Sequence, residues 1–107
     1  MRPYSQLSAS ERSQRAQDCR NVQTVYGAGL TAMTSGTGDD ATRSIAHLEA
    51  LSRTLPSGPK HDLEVIAATA KSIRDDPKNV LKVGSDEVTA ATAGMQEYLQ
   101  QLCDITS

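Results

Sequence analysis

Phenylalanine and tryptophan are absent, tyrosine occurs three times, and there are two cysteines in 107 residues. Without large aromatic side chains, the interior has to be filled by Leu, Ile, Val, Met and many Ala, with Tyr the only aromatic. Such side chains let helices approach closely but bury little area each. At about 25 cal/mol per Å² of apolar surface, they return little free energy against the entropy of ordering the chain. A covalent staple is therefore useful in a domain of this size. Nothing would be left over to build a second core, so the sequence reads as one domain over residues 1–107, with residues 1–7 as a flexible lead.

Charge of one sign is also missing. Eleven basic and thirteen acidic residues give a net charge of -2, with both signs spread along the chain. A nucleic-acid partner is thereby disfavoured, because such domains carry a basic face. The one local basic excess, Arg2, Arg12, Arg15 and Arg20 against Glu11 and Asp18, reads as a solvated helix face. No apolar run approaches the roughly 18 residues needed to span a bilayer, and residues 1–12 lack the apolar segment of a signal peptide. Met1 reads as a start placed before a mature domain, with the leader or anchor not present in this chain.

Four segments of helical character are separated by breaks rich in Gly, Pro, Asp and Ser. The first spans about 8–33. Ser8 and Glu11 have capping-box spacing, and Cys19, Val22, Tyr26, Leu30 and Met33 recur at steps of three and four. Gly27 and Gly29 interrupt it, marking a kink or a close approach of a neighbouring helix. After a break over 34–38, Asp39 or Asp40 caps a second helix with the stripe Ala41, Ile45, Leu48, Leu51, Ser52 and Leu55.

Pro56-Ser57-Gly58-Pro59 ends that helix. A third is expected from near Pro59, with Asp62 and Glu64 close to its positive end and Leu63, Ile66, Ala67, Ala70 and Ile73 turned inward. Asp75-Asp76-Pro77-Lys78 stops it, and residues 79–83 are expected to form a short turn plugging the end of the bundle. Ser85 with Asp86 opens the last helix, whose stripe is Val88, Ala91, Thr92, Met95, Tyr98, Leu99 and Leu102. Alternating apolar and polar runs of strand length are absent, so the fold class is all-α, an up-down-up-down bundle of about four helices.

In such a bundle the start of the first helix lies beside the end of the last. Cys19 and Cys103 then fall at the same end, each continuing the apolar stripe of its helix, and a disulfide linking first and last helices is expected. The competing reading is a reduced pair acting as small hydrophobes, as in a cytosolic regulatory module with free thiols. A redox-catalytic pair is weaker still, since the spacing is far from C-x-x-C. A bridge would imply an oxidising, extracytoplasmic compartment.

The layout has a Cys near the start, a Leu55-Pro56-Ser57-Gly58-Pro59-Lys60-His61-Asp62-Leu63 break into a helix mid-chain, and a terminal Tyr98-Leu99-Gln100-Gln101-Leu102-Cys103. It resembles small two-cysteine helical proteins exported or lipid-anchored by actinobacteria. That resemblance implies a fold and a location, secreted or at the cell envelope. It implies no activity and no catalytic residues.

Candidate sites are few. His47 and His61 sit in no ligand motif, with neither H-E-x-x-H nor a Glu three residues ahead, so both read as surface or boundary histidines and no metal or cofactor is expected. The pairs Asp39-Asp40 and Asp75-Asp76 lack the alternate-position register of a calcium loop. Gly36 and Gly38 follow no strand and precede no G-K-[ST]. Tyr26 and Tyr98 stand seven and five positions from the cysteines and are expected to share a core layer beside the bridge, with hydroxyls at the rim. They are also the residues beside which a small apolar ligand or haem would sit. With no catalytic constellation, the leading expectation is a non-enzymatic extracytoplasmic helical domain that binds a protein or associates with the envelope. The alternatives are a small-ligand or haem carrier and the free-thiol regulator. Partner identity and oligomeric state are not specified by the sequence.

Overall fold

A computed structural model describes residues 4–35 and 38–104, apart from the side chains of residues 34 and 35. Four α-helices follow a single 3₁₀ turn at Tyr4–Gln6: α1 (Ala9–Ser35), α2 (Gly38–Ser52), α3 (Ser57–Asp75) and α4 (Asp86–Leu102). A second 3₁₀ segment, Pro77–Gly84, joins α3 to α4, and no strand occurs among the described residues. The all-α bundle expected from the three-and-four periodicity is thus the observed fold.

Local chemistry sets most of the boundaries. Ser8 and Glu11 form the reciprocal capping box: the Glu11 amide donates to Ser8 Oγ at 3.3 Å and the Ser8 amide to Glu11 Oε1 at 3.2 Å. Ser85 Oγ accepts from the Val88 amide at 3.4 Å and opens α4. Asp76 accepts from the Lys78 amide at 3.1 Å, and Asp75 pairs with Arg74 at 3.3 Å. Gly38, the first residue of α2, has φ +80°, which a residue bearing a Cβ adopts only under strain. Asp39 and Asp40 occupy the first turn of α2 instead of its cap, with Asp40 paired to Arg43. The cap position and the middle of the expected 34–38 break lie outside the described residues, as does Arg2.

The third helix begins two residues before Pro59. Pro56 is its N-cap, and the first four amides of a helix have no intrahelical acceptor, so the missing N–H of Pro59 costs nothing there. Asp62 and Glu64 consequently stand beyond the first turn, too far along to benefit from the helix dipole. At the N-terminus, Arg12 turns back and donates to the carbonyls of Tyr4 and Ser5 at 3.2 and 3.0 Å, with its guanidinium 5.3 Å from the Tyr4 ring. Leu7 is buried beneath this turn.

Pairs of touching residues give the helix directions. Cys19 meets Cys103 and Tyr26 meets Thr92, so numbers rising along α1 fall along α4. Gly29 meets Leu48 on α2, and Asp62 meets Gly94 across α3 and α4. α3 lies at the centre, packing extensively on α2 and α4 and also on α1, whereas the direct contact between α1 and α4 is slight. The core is built from Val22, Tyr26, Met33, Ile45, Leu48, Leu63, Ile66, Ala70, Ile73, Ala91 and Met95 with their neighbours. Leu30 and Thr92, placed on the stripes by periodicity, are half-buried at its edge.

The expected short turn at 79–83 forms within the Pro77–Gly84 segment, which packs against α1, α3 and α4, but it turns only part of its apolar side chains inward. At three residues per turn Leu81 falls a third of a turn from the side shared by Val80 and Val83. Only Val83 packs on the core; Val80 is 41% exposed and Leu81 85%.

The two α1 glycines separate cleanly. A Cβ on Gly29 would lie 2.8 Å from Leu48 Cδ2, a methyl on a fully buried side chain, whereas a Cβ on Gly27 meets nothing within 4 Å. Gly29→Ala is expected to lose about 1 kcal/mol net, overpacking outweighing the gain in helix propensity. Gly27→Ala should gain up to about 1 kcal/mol from propensity alone. Urea unfolding of the two variants reads the difference directly.

On α4, the Asp62 carboxylate fills the space that a side chain at Gly94 would take. Burial raises the Asp62 carboxyl above its ordinary value, with the neighbouring His61 opposing. The fold therefore favours the neutral acid. That contribution is complete below the ordinary carboxyl range and is lost as pH rises through the raised value. Asp62→Asn is expected to raise Tm at pH 7 and to leave it unchanged near pH 3, as thermal scans at both pH values will test.

Candidate functional site

The feature that distinguishes this chain chemically is the covalent link at one end of the bundle. Cys19 sits ten residues into α1, and Cys103 is the C-cap of α4, its amide donating to the Leu99 carbonyl at 2.8 Å. The two are bonded, with Cα atoms 5.1 Å apart across 84 positions of sequence, and no free cysteine remains. This corrects the free-thiol alternative: a module working through reduced Cys19 and Cys103 is not what this fold presents. Both residues are half-buried on the flank of the core.

The two tyrosines expected beside the bridge differ in surroundings. Tyr26 is buried in the core, and its hydroxyl donates to the Thr92 carbonyl at 3.4 Å. Burial raises its pKa, a hydrogen bond with Gln96 opposing. Tyr98 is half-buried; burial is the main cause of its raised pKa, Asp18 adds to it and Arg15 opposes. Both phenols are therefore neutral hydrogen-bonding groups at neutral pH, unsuited to act as bases.

A cavity of about 180 Å³ lies beside the bridge, walled by Asp18, Asn21, Val22, Leu51, Thr54, Leu55 and Tyr98. Tyr98 lines it and Tyr26 does not. Its volume falls short of the roughly 300 Å³ at which ligand pockets begin, and polar groups share its wall. Two larger depressions, of about 400 and 460 Å³, are open grooves on the surface. One runs between Leu7, Arg15, Tyr98 and Leu102, the other between Val25, His47 and Leu51. Neither is a bundle-core cavity of the kind a carrier of haem or an apolar molecule requires.

His47 and His61 are both exposed. Among the described residues no three His, Cys, Asp or Glu side chains converge on a point where an ion could be held, and no helix is long and apolar enough to cross a membrane. The exposed pair Val80 and Leu81, bracketed by Lys78 and Lys82, was not foreseen from sequence. Its signal was ambiguous, because Val80 and Leu81 between two lysines, with Val83 just beyond, read equally well as an inward plug.

No protein family, no curated protein and no solved structure matches this chain. Its class is therefore defined by the fold and the covalent link: a small disulfide-bridged helical bundle.

In the chain-entropy model a bridge over 84 positions contributes about 4–5 kcal/mol. Reduction, or the double substitution Cys19→Ser and Cys103→Ser, is expected to lower the unfolding free energy by that amount. Urea titration with and without reductant measures it, and a change below about 1 kcal/mol would mean that the bridge does not constrain the unfolded chain as the model assumes.

Proposed function

We propose that the chain is a non-enzymatic, extracytoplasmic helical module, secreted or held at the cell envelope, that acts by binding another protein. The observation that carries this reading is the Cys19–Cys103 bond, because such bonds persist in oxidising compartments and are rare where glutathione and thioredoxin keep thiols reduced. A bundle whose core holds no Phe or Trp gains a useful share of its stability from such a bond. The likeness of its layout to exported actinobacterial helical proteins points the same way.

The binding half of the reading is supported by the Pro77–Gly84 segment, which holds Val80 and Leu81 in solvent. Isolated exposed apolar residues are common on soluble proteins, but Leu81 is 85% exposed on a segment whose backbone is ordered by the Asp76 and Ser85 caps. A rigid presentation of that sort lowers the entropic cost of docking.

Fractionation of cells producing the native full-length protein tests the location. The protein is expected outside the cytosol, with an intact mass about two units below that of the reduced form. Recovery from the cytosol with both cysteines alkylatable would overturn the reading. A photo-crosslinking residue at position 81 tests the binding: discrete covalent adducts with a protein are expected, and these should disappear when the crosslinker is moved to exposed Glu64.

A further inference from the structure

The bridge spans α1 and α4, whose direct packing is slight. Asp62 on α3 meets Gly94 on α4, and α3 begins at Ser57, five residues before Asp62. α4 continues eight residues past Gly94 to Leu102. At 1.5 Å per residue, α3 offers about 7.5 Å of further support and α4 requires about 12 Å. The last turn of α4 therefore overruns the helix on which the rest of α4 is packed. What remains beside it is α1, whose contact with α4 is slight beside that of α3, and the turn over residues 53–56.

That end is also incompletely filled. The cavity of about 180 Å³ separates Tyr98 from Leu51, Thr54 and Leu55, and Tyr98 and Leu99 are only half-buried. Val88, Ala91 and Met95, by contrast, are buried in the main core. α4 is thus anchored by packing along most of its length; over its last turn only Leu102 is buried in the core, and the covalent bond adds to that single anchor. Cys19 and Cys103 are themselves only half-buried.

We propose that the Cys19–Cys103 bond is a dithiol-operated latch on the end of α4. One thiolate of a small or protein dithiol attacks one sulfur of the bridge and displaces the other as a thiolate, forming a mixed disulfide. The second thiolate of the dithiol then resolves it. The dithiol leaves as a disulfide, and Cys19 and Cys103 each take up one electron and one proton to end as thiols. Residues 98–103 are released, and the cavity behind Tyr98 opens to uncover Val22, Leu51 and Leu55, while α1, α2, α3 and the first part of α4 stay assembled. The latch depends on the geometry of α3 and α4 and not on the compartment or partner proposed above.

Hydrogen exchange by mass spectrometry tests this on the full chain, oxidised and after dithiothreitol under native conditions. In the reduced protein the amides of residues 99–103 are expected to exchange within about tenfold of an unstructured peptide, while α3 amides around Ile66 and Ala70 remain protected at least about a hundredfold. The double variant Cys19→Ser, Cys103→Ser should give the same pattern without reagent. Three results would overturn the latch: α3 losing protection together with the end of α4, the end of α4 keeping its oxidised-state protection, or a bridge that dithiothreitol opens only in denaturant. The oxidation state found in cells bears on the proposed location and leaves this comparison unaffected.

Discussion

Close packing against α3 is the constraint on which the rest of the bundle depends. Its face of Leu63, Val65, Ile66, Ala67, Thr69, Ala70 and Ile73 is buried from the second turn to near the end. With no Phe or Trp available, each helix can cover that face only by coming near it, since small side chains do not bridge wide gaps. The same demand explains why Gly29 lies against Leu48 and why Gly94 lies against Asp62: backbone approaches side chain where no room is left for a Cβ. Thr69 can be buried there because its hydroxyl donates to the Val65 carbonyl at 2.8 Å within the helix.

A centre built around one helix leaves the outer pair weakly joined. α1 and α4 both lean on α3, and their direct contact is slight. The disulfide supplies across that seam what packing does not, and it does so at the level where α3 has already ended. Its position is therefore a consequence of helix length as much as of cysteine placement. A longer α3 would carry the whole of α4, and the bridge would then add to a seam already closed.

Much of this was legible in the residues. The three-and-four stripes foretold the buried faces of α2, α3 and α4, and the Ser8–Glu11 and Ser85 caps were legible because capping is a contact between residues three apart. The departures share a cause. Pro59 marks a helix start only to within its first turn, because any of the first positions tolerates a missing amide. The segment 79–83 carries Val80, Leu81 and Val83, which periodicity cannot orient, since a single 3₁₀ stretch has no neighbouring turns to reveal which side is wet. Periodicity put Tyr26 and Tyr98 on facing stripes, yet whether they share a cavity depends on the roll of two helices about their axes, which stripe membership does not specify.

The sequence by itself determined the all-α class, the approximate number of helices and the meeting of two cysteines so placed. All of these follow from local periodicity, capping and the short connections that force neighbouring helices to alternate. Only the tertiary structure decided that α3 is central, that the seam between α1 and α4 is thin, that a cavity lies behind Tyr98 and that Leu81 faces solvent. Those properties arise from how rigid rods of unequal length roll and offset against one another. Such offsets are a balance of many weak contacts distant in sequence, and no single residue records them.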